Sequence, residues 1–240
     1  MTTDGWLRLG VRLPLDAPGI TYPVVERLAR TAERGLLDFV LADGAGPAAD
    51  PVTVLSALAA VTERIGLVAG VRRGGGPGPA RRVAGLDRLS GGRAGRLGGT
   101  GEPGAPGGSG APGAPGAPGG SGAPGRSGAS GASGEPGWPG WPVVAVGRGD
   151  PGWASADLRM LGPVGVDGPP EEVADRILGA PVRREGADGL LLAPRGVPDG
   201  LDAFVDRVIP LLRGRGVLRM EYGGATRRSH LGRSAPVRKG

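Results

Sequence analysis

Few residues in this chain have the type and setting to do chemistry. Asp43 closes the apolar run LLDFVLAD. A carboxylate at the C-terminal end of a buried strand accepts hydrogen bonds from the hydroxyls of a ligand, and it equally well caps a turn into Gly44. Gly147 and Gly149, in VGRGD, expose backbone N–H groups that can approach a phosphate, although two glycines spaced by one also describe an ordinary strand-to-loop turn. Arg72 and Arg73 open a glycine-rich stretch and read either as a grip on an anionic ligand or as solvated loop residues. His230 is the single histidine and cysteine is absent, so the inventory for a thiolate or histidine metal centre is missing, and no disulfide forms.

The chain carries a formal charge of +6 with a pI near 11.0, and Lys239 is its only lysine. Its arginines are scattered apart from a tail cluster (Arg227, Arg228, Arg233, Arg238), and only 3% of residues are aromatic. A surface for single-stranded nucleic acid interleaves charge with stacking rings, so a solvated tail is expected and no nucleic-acid partner. No segment reaches the ~20 apolar residues of a membrane span; a soluble, cytoplasmic protein with no membrane partner is expected.

The elements that must position these residues fall on both sides of a compositional break. Before it, a strand near Trp6 to Leu13 leads to a helix over about Tyr22 to Gly35, with Val24, Val25, Leu28, Ala29 and Ala32 on one face. The strand ending at Asp43 is followed by a helix capped by Asp50, with Pro51 in its first turn and Leu55, Leu58, Ala59 and Thr62 at helical spacing. The strand IGLVAGV then precedes a helix from about Pro79 to Leu89, stopped at Ser90, Gly91 and Gly92. After the break come strands in PVVAVG and PVGVDG, a helix from Pro169 to about Arg184, the strand at LLLAP, and a helix from about Leu201 to Arg213. In that last helix Leu201, Phe204, Val205, Val208, Ile209 and Leu212 share a face. Alternating strands and helices specify an α/β protein with a parallel sheet. Six strands are visible, where a complete (β/α) barrel needs eight.

The break itself has glycine at every third position from Gly101 to Pro142, with proline or serine in each third place of the triplet. That period is the collagen signature. A triple-helical rod of this length would hold the two flanks apart by more than about 100 Å at ~3 Å per residue. A flexible coil spans roughly 35 Å and lets them meet. Proline never occupies the second place of a triplet and charges are few, so a disordered linker is expected. The resulting division is 1–100, linker 101–142, and 143–240, and a collagen-like trimer stands as an alternative. Trp138 and Trp141, in GWPGWP, end the repeat with two rings that either dock or lie exposed.

Particular runs resemble a known family. DPVTVLSALAAVTERIGLVAGV (Asp50 to Val71), ARRVAGLDRLSGGRAG (Ala80 to Gly95) and ERGLLDFVLADG (Glu33 to Gly44) resemble the bacterial luciferase-like, flavin-dependent monooxygenases, nearest to the nitrilotriacetate monooxygenase branch. GPPEEVADRI, GADGLLLAP, LDAFVDRVIPLLRGRGV and EYGGATRRSHLG are similar to the end of that family, in the same order. The resemblance implies a TIM-type barrel, incomplete here and in two segments, that binds reduced FMN at the C-terminal ends of its strands and uses O₂ to oxygenate a small organic substrate. It also implies a flavin reductase as partner and a homo-oligomer, with His230 in a packing element. Three positions carry over as flavin contacts: Asp43, Thr100 and Gly147. The chain departs from the pattern at Arg96 to Gly99, where the family places a Trp-Asn pair, and after Gly147, where a serine is lost. A non-catalytic barrel remnant serving as an oligomerising or binding module is therefore the alternative reading.

Overall fold

The computed structural model describes residues 6–43, 50–70, 77–97, 143–146, 158–182 and 184–223. Seven parallel strands form a closed ring in chain order: β1 (Arg8–Arg12), β2 (Phe39–Ala42), β3 (Gly66–Ala69), β4 (Ala94–Leu97), β5 (Val143–Val146), β6 (Leu158–Gly165) and β7 (Gly189–Ala193). β7 returns to β1 with Leu190 beside Leu9 and Leu192 beside Val11, which closes the ring. The barrel is thus TIM-like and incomplete by one strand. Between Leu97 and Val143 lies the whole Gly-X-Y repeat, yet β4 and β5 are neighbours, with Arg96 opposite Val143. The two flanks therefore build one sheet, which excludes an arrangement in which the repeat holds them apart.

Helices α1 (Tyr22–Arg34), α2 (Pro51–Ala59) and α3 (Pro77–Leu89) follow β1, β2 and β3, and α4 (Pro170–Gly179) follows β6. After β7, α5 (Asp199–Ala203) continues through a π-helical turn (Phe204–Val208) into α6 (Ile209–Gly214). No helix follows β4 or β5 among the described residues. Asp50 caps α2 by accepting the Thr53 backbone N–H at 2.9 Å, as its position before Pro51 predicts. All six residues assigned inward on the last helix are buried, and on α1 the expected face is buried except Val24, which is half-buried.

Two boundaries and one strand differ from expectation for local reasons. The helix after β6 stops at Gly179 and not near Arg184, because Ala180 turns to extended backbone and Pro181 follows. β6 begins at Leu158, earlier than PVGVDG suggests, and an irregularity between Leu161 and Val164 separates its two halves. The seventh strand, β4, is AGRL, too short and too rich in glycine and arginine to register as a strand from its pattern.

Strand alternation divides the apolar residues into two cores. Outward-facing Leu9, Val11, Val40, Leu67, Leu190 and Leu192 pack against the helices, as part of the larger core. Inward-facing Phe39, Leu41, Val68, Leu97, Val144, Leu158, Met160 and Leu191 fill the barrel. Gly10 faces the same interior, and a Cβ there would lie 2.2 Å from Phe39 Cζ. Glycine at this position leaves the space that the Phe39 ring occupies.

Candidate functional site at the strand C-terminal ends

The inward positions of β1, β2 and β3 continue one step beyond the apolar plug. Arg12 lies opposite Leu41 in register, and Asp43 and Gly70 follow Leu41 and Val68 by two residues. Asp43 and Gly70 thus stand one inward position beyond the Leu41–Val68 level of Arg12, and the Arg12 side chain reaches Asp43 at the C-terminal lip of the barrel. Arg12 Nε donates to Asp43 Oδ1 at 2.7 Å, while Arg12 Nη2 lies 3.7 Å from Asp16 Oδ2 in the loop after β1. The side chains are partly open, 34% exposed for Arg12 and 25% for Asp43. Arg12 Nη1 has no partner among the described residues and remains a donor at the mouth.

Burial dominates the Asp43 carboxyl and carries its pKa above the ordinary value, against the opposing hydrogen bond and charge of Arg12; Asp16 pushes in the same direction as burial. For Arg12 burial alone would lower the pKa, but the hydrogen bond and charge of Asp43, with the charge of Asp16, raise it. Burial thus works against the Asp43 charge while Arg12 is held in its charged form, a half-dry setting in which a donor or acceptor left over is worth more to a ligand than in open water. Gly70 supports this geometry. A Cβ at residue 70 would come within 2.6 Å of Asp43 Cβ, and the Gly70 N–H donates to the Ala42 carbonyl at 2.7 Å.

Of the three residues the resemblance assigns to a flavin, Asp43 stands at the lip, whereas Thr100 and Gly147 lie outside the described residues, as do Arg72, Arg73, Gly149, Trp138, Trp141 and His230. The segments that leave β2, β3, β4 and β5 at this end (44–49, 71–76, 98–142 and 147–157) also fall outside them. Arg12 and Asp16 are the residues that sequence reasoning missed. The available signal was a charged residue on the inward side of an otherwise apolar strand, at its C-terminal end. The polar pair fits a flavin in kind: a carboxylate oxygen not engaged by Arg12 can accept from a ribityl hydroxyl, and Nη1 can donate to a ring oxygen or phosphate. Among the described residues no group of three or more His, Cys, Asp or Glu side chains is placed to hold a metal ion, and no helix is long and apolar enough to cross a membrane.

The opposite end of the barrel is polar in another way. Arg93, just before β4, is 3% exposed and donates to Ser90 O, Thr62 Oγ1, Thr62 O, Ile65 O and Ala59 O at 2.8–3.2 Å. Burial lowers its pKa. Asp38 accepts from Arg8 Nη1 at 3.2 Å and from the Leu9 N–H at 2.8 Å, with Arg219 Nη2 2.9 Å away. The Glu33 carboxylate receives the N–H groups of Glu63 and Ile65 at 2.9 and 2.8 Å. Tyr222 donates to the Leu37 carbonyl at 2.8 Å beneath the Arg219 guanidinium, and burial drives its pKa far upward. Most of these contacts join one chain segment to another, which is structural work at the face where such barrels carry stability.

Residues 4–112 match the luciferase-like monooxygenase family. The chain is 42% identical over 72 residues to N-acetyl-S-(2-succino)cysteine monooxygenase of Bacillus subtilis, covering 30% of this chain and 16% of the relative. It is 41% identical over 69 residues to nitrilotriacetate monooxygenase component A of Aminobacter aminovorans, covering 29% and 15%. The matched stretch thus spans only about a sixth of these curated relatives. Among solved structures, a riboflavin lyase crystallised with modified FMN and riboflavin superposes with a TM-score of 0.65 at 17% identity, covering 98% of this chain and 97% of that one.

Proposed function

We propose that this chain, which carries a luciferase-like monooxygenase domain, binds reduced FMN at the lip formed by Arg12, Asp43 and Gly70 and supports oxygenation of a small organic substrate. The observation that carries the reading is the Arg12–Asp43 pair at the C-terminal end of the strands, the end at which TIM-type barrels build their sites. When bound, the flavin supplies the redox chemistry with O₂. The protein's part is to bind and orient. Asp43 accepts from a hydroxyl of the ligand through its oxygen not held by Arg12, and Arg12 donates through Nη1 to an anionic or carbonyl oxygen. Gly70 leaves the room that keeps Asp43 across the opening. The apolar layer below, including Leu41 and Val68, excludes water from beneath the pair.

Thr100 and Gly147 complete the proposed contacts as a hydroxyl and a backbone N–H. A flavin reductase is the proposed partner, because a site of this kind receives its cofactor already reduced; association of copies of the chain is proposed with it. The test is anaerobic titration of reduced FMN into the full chain, followed by calorimetry. A saturable heat is expected, weakened about tenfold or more in Asp43→Ala, as the loss of a hydrogen bond to a charged group implies. Absence of binding at protein concentrations on the order of 100 µM, within the usual range of cofactor and substrate affinities, would leave the barrel-remnant reading in its place.

A further inference from the structure

A concavity lies at the other end of the barrel. It is a groove of about 780 Å³ between the C-terminal end of α4, the turn that follows it, and the N-terminal starts of β1, β6 and β7. Trp6, Leu178, Pro181 and Val182 give it an apolar wall, while Arg159, Arg184 and Asp188 are its charged residues. Among the described residues, Trp6 and Leu178 are large apolar residues left open, at 36% and 39% exposure. The size is that of a small-molecule pocket, ~300–1,000 Å³. It is separate from the Arg12–Asp43 lip by the length of the strands.

The charges in the groove are unevenly satisfied. Asp188 is 11% exposed and accepts the Arg159 N–H at 2.8 Å, with a long contact of 3.4 Å from Arg159 Nε. Its charge is thereby spent on holding the start of β6. Arg159 keeps Nη1 and Nη2 without a partner among the described residues, and 34% of its side chain is open to the groove. Arg184 adds a second exposed guanidinium without a partner among them. A planar fork of donors beside an indole ring selects a carboxylate or sulfonate on an aromatic body: the fork takes two oxygens of one anion, and the body packs on Trp6 and Pro181. The cationic alternative is disfavoured, because Asp188 is already covered by Arg159.

We infer that this groove is a second binding site, for a small aromatic monoanion, held by Arg159 and stacked on Trp6. The site stands on geometry that the flavin reading does not use.

The test titrates the full chain by calorimetry with 1-naphthoate, and with 1-naphthylmethylammonium as the cation of matching shape. Saturable binding of the naphthoate is expected, with no heat from the ammonium probe. Arg159→Gln weakens the naphthoate by about tenfold or more, the loss of a charge-assisted contact. Should loss of the Asp188 contact unfold that variant, judged by its thermal melt, Arg184→Gln and Trp6→Ala read the same groove from its exposed rim, each with at least a severalfold loss. Saturating FMN leaves naphthoate binding unchanged. Absence of naphthoate binding overturns the inference, as does equal binding of the two probes, equal affinity in the folded variants, or displacement by FMN.

Discussion

The two ends of the barrel use the same residue types for different purposes. At the N-terminal ends of the strands, Arg93 spends its guanidinium on five protein acceptors and is almost fully buried. At the C-terminal ends, Arg12 spends one nitrogen on Asp43, a second sits at long range from Asp16, and the side chain stays a third exposed. A polar group whose every donor is matched within the chain is committed to the fold. One with donors to spare is available to a ligand. The difference commits the Arg93 cluster to the fold and leaves the Arg12 lip with donors for the proposed ligand, and it can be broken or sharpened by substitution.

The largest effect is expected for Arg93→Ala. It leaves buried carbonyls of Ala59, Thr62, Ile65 and Ser90 without their donor, and each orphaned acceptor costs about 1–3 kcal/mol. A loss of about 3 kcal/mol or more, read as a fall of roughly 10 °C in the melting temperature, is expected with FMN affinity retained below the melt. Next comes Gly10→Ala, which drives a Cβ into the Phe39 ring. Overpacking of this kind costs about 1–3 kcal/mol, measured by chemical denaturation.

Asp202→Asn should cost less, about 1 kcal/mol. Asp202 accepts from Thr31 Oγ1 and Arg27 Nη2, both at 2.6 Å, and thereby ties the helix after β7 to α1. Burial pushes its pKa up, but Thr31, Arg27 and Arg34 outweigh burial and hold it below the ordinary 3.8. A depressed carboxyl stabilises the fold above its unfolded pKa and loses that contribution as pH falls through the folded value. The wild type should therefore lose stability below pH 3.8, and the melting curves of wild type and variant should converge there.

The smallest effect on stability is expected at the lip. Asp43→Asn removes a carboxylate whose pKa burial raises. A raised carboxyl favours the fold below its unfolded pKa and costs stability once pH rises through the folded value. At neutral pH the variant should match the wild type to within about 0.5 kcal/mol, while reduced-FMN binding weakens. Gly70→Ala, which crowds Asp43, should shift FMN affinity in the same direction. A large stability loss at Asp43 would erase the contrast between the two faces.

Much of the frame was legible because local rules and tertiary packing agree. The last helix shows its face at Leu201, Phe204, Val205, Val208, Ile209 and Leu212, all buried, and Asp50 before Pro51 announces a capped start. β4 was not legible, since a Gly-Arg-containing tetrapeptide becomes a strand only between β3 and β5. Asp43 could be named from its place at the end of an apolar run, but its partner could not. Arg12 and Asp43 are 31 residues apart, and only the parallel pairing of β1 with β2 brings them within hydrogen-bond reach. The groove beside Trp6 is less legible still, because four separate segments build its wall.

The contrast between the faces is tested most directly by amide hydrogen exchange of the full chain with and without saturating reduced FMN. The account predicts slowing confined to the C-terminal lip, at Leu13, Leu15, Asp43 and Gly70, with the amides of Ile65 and Leu9 unchanged at the other end. Protection confined to the Arg93 and Asp38 face, or no protection at the lip under conditions where FMN binds, would contradict it.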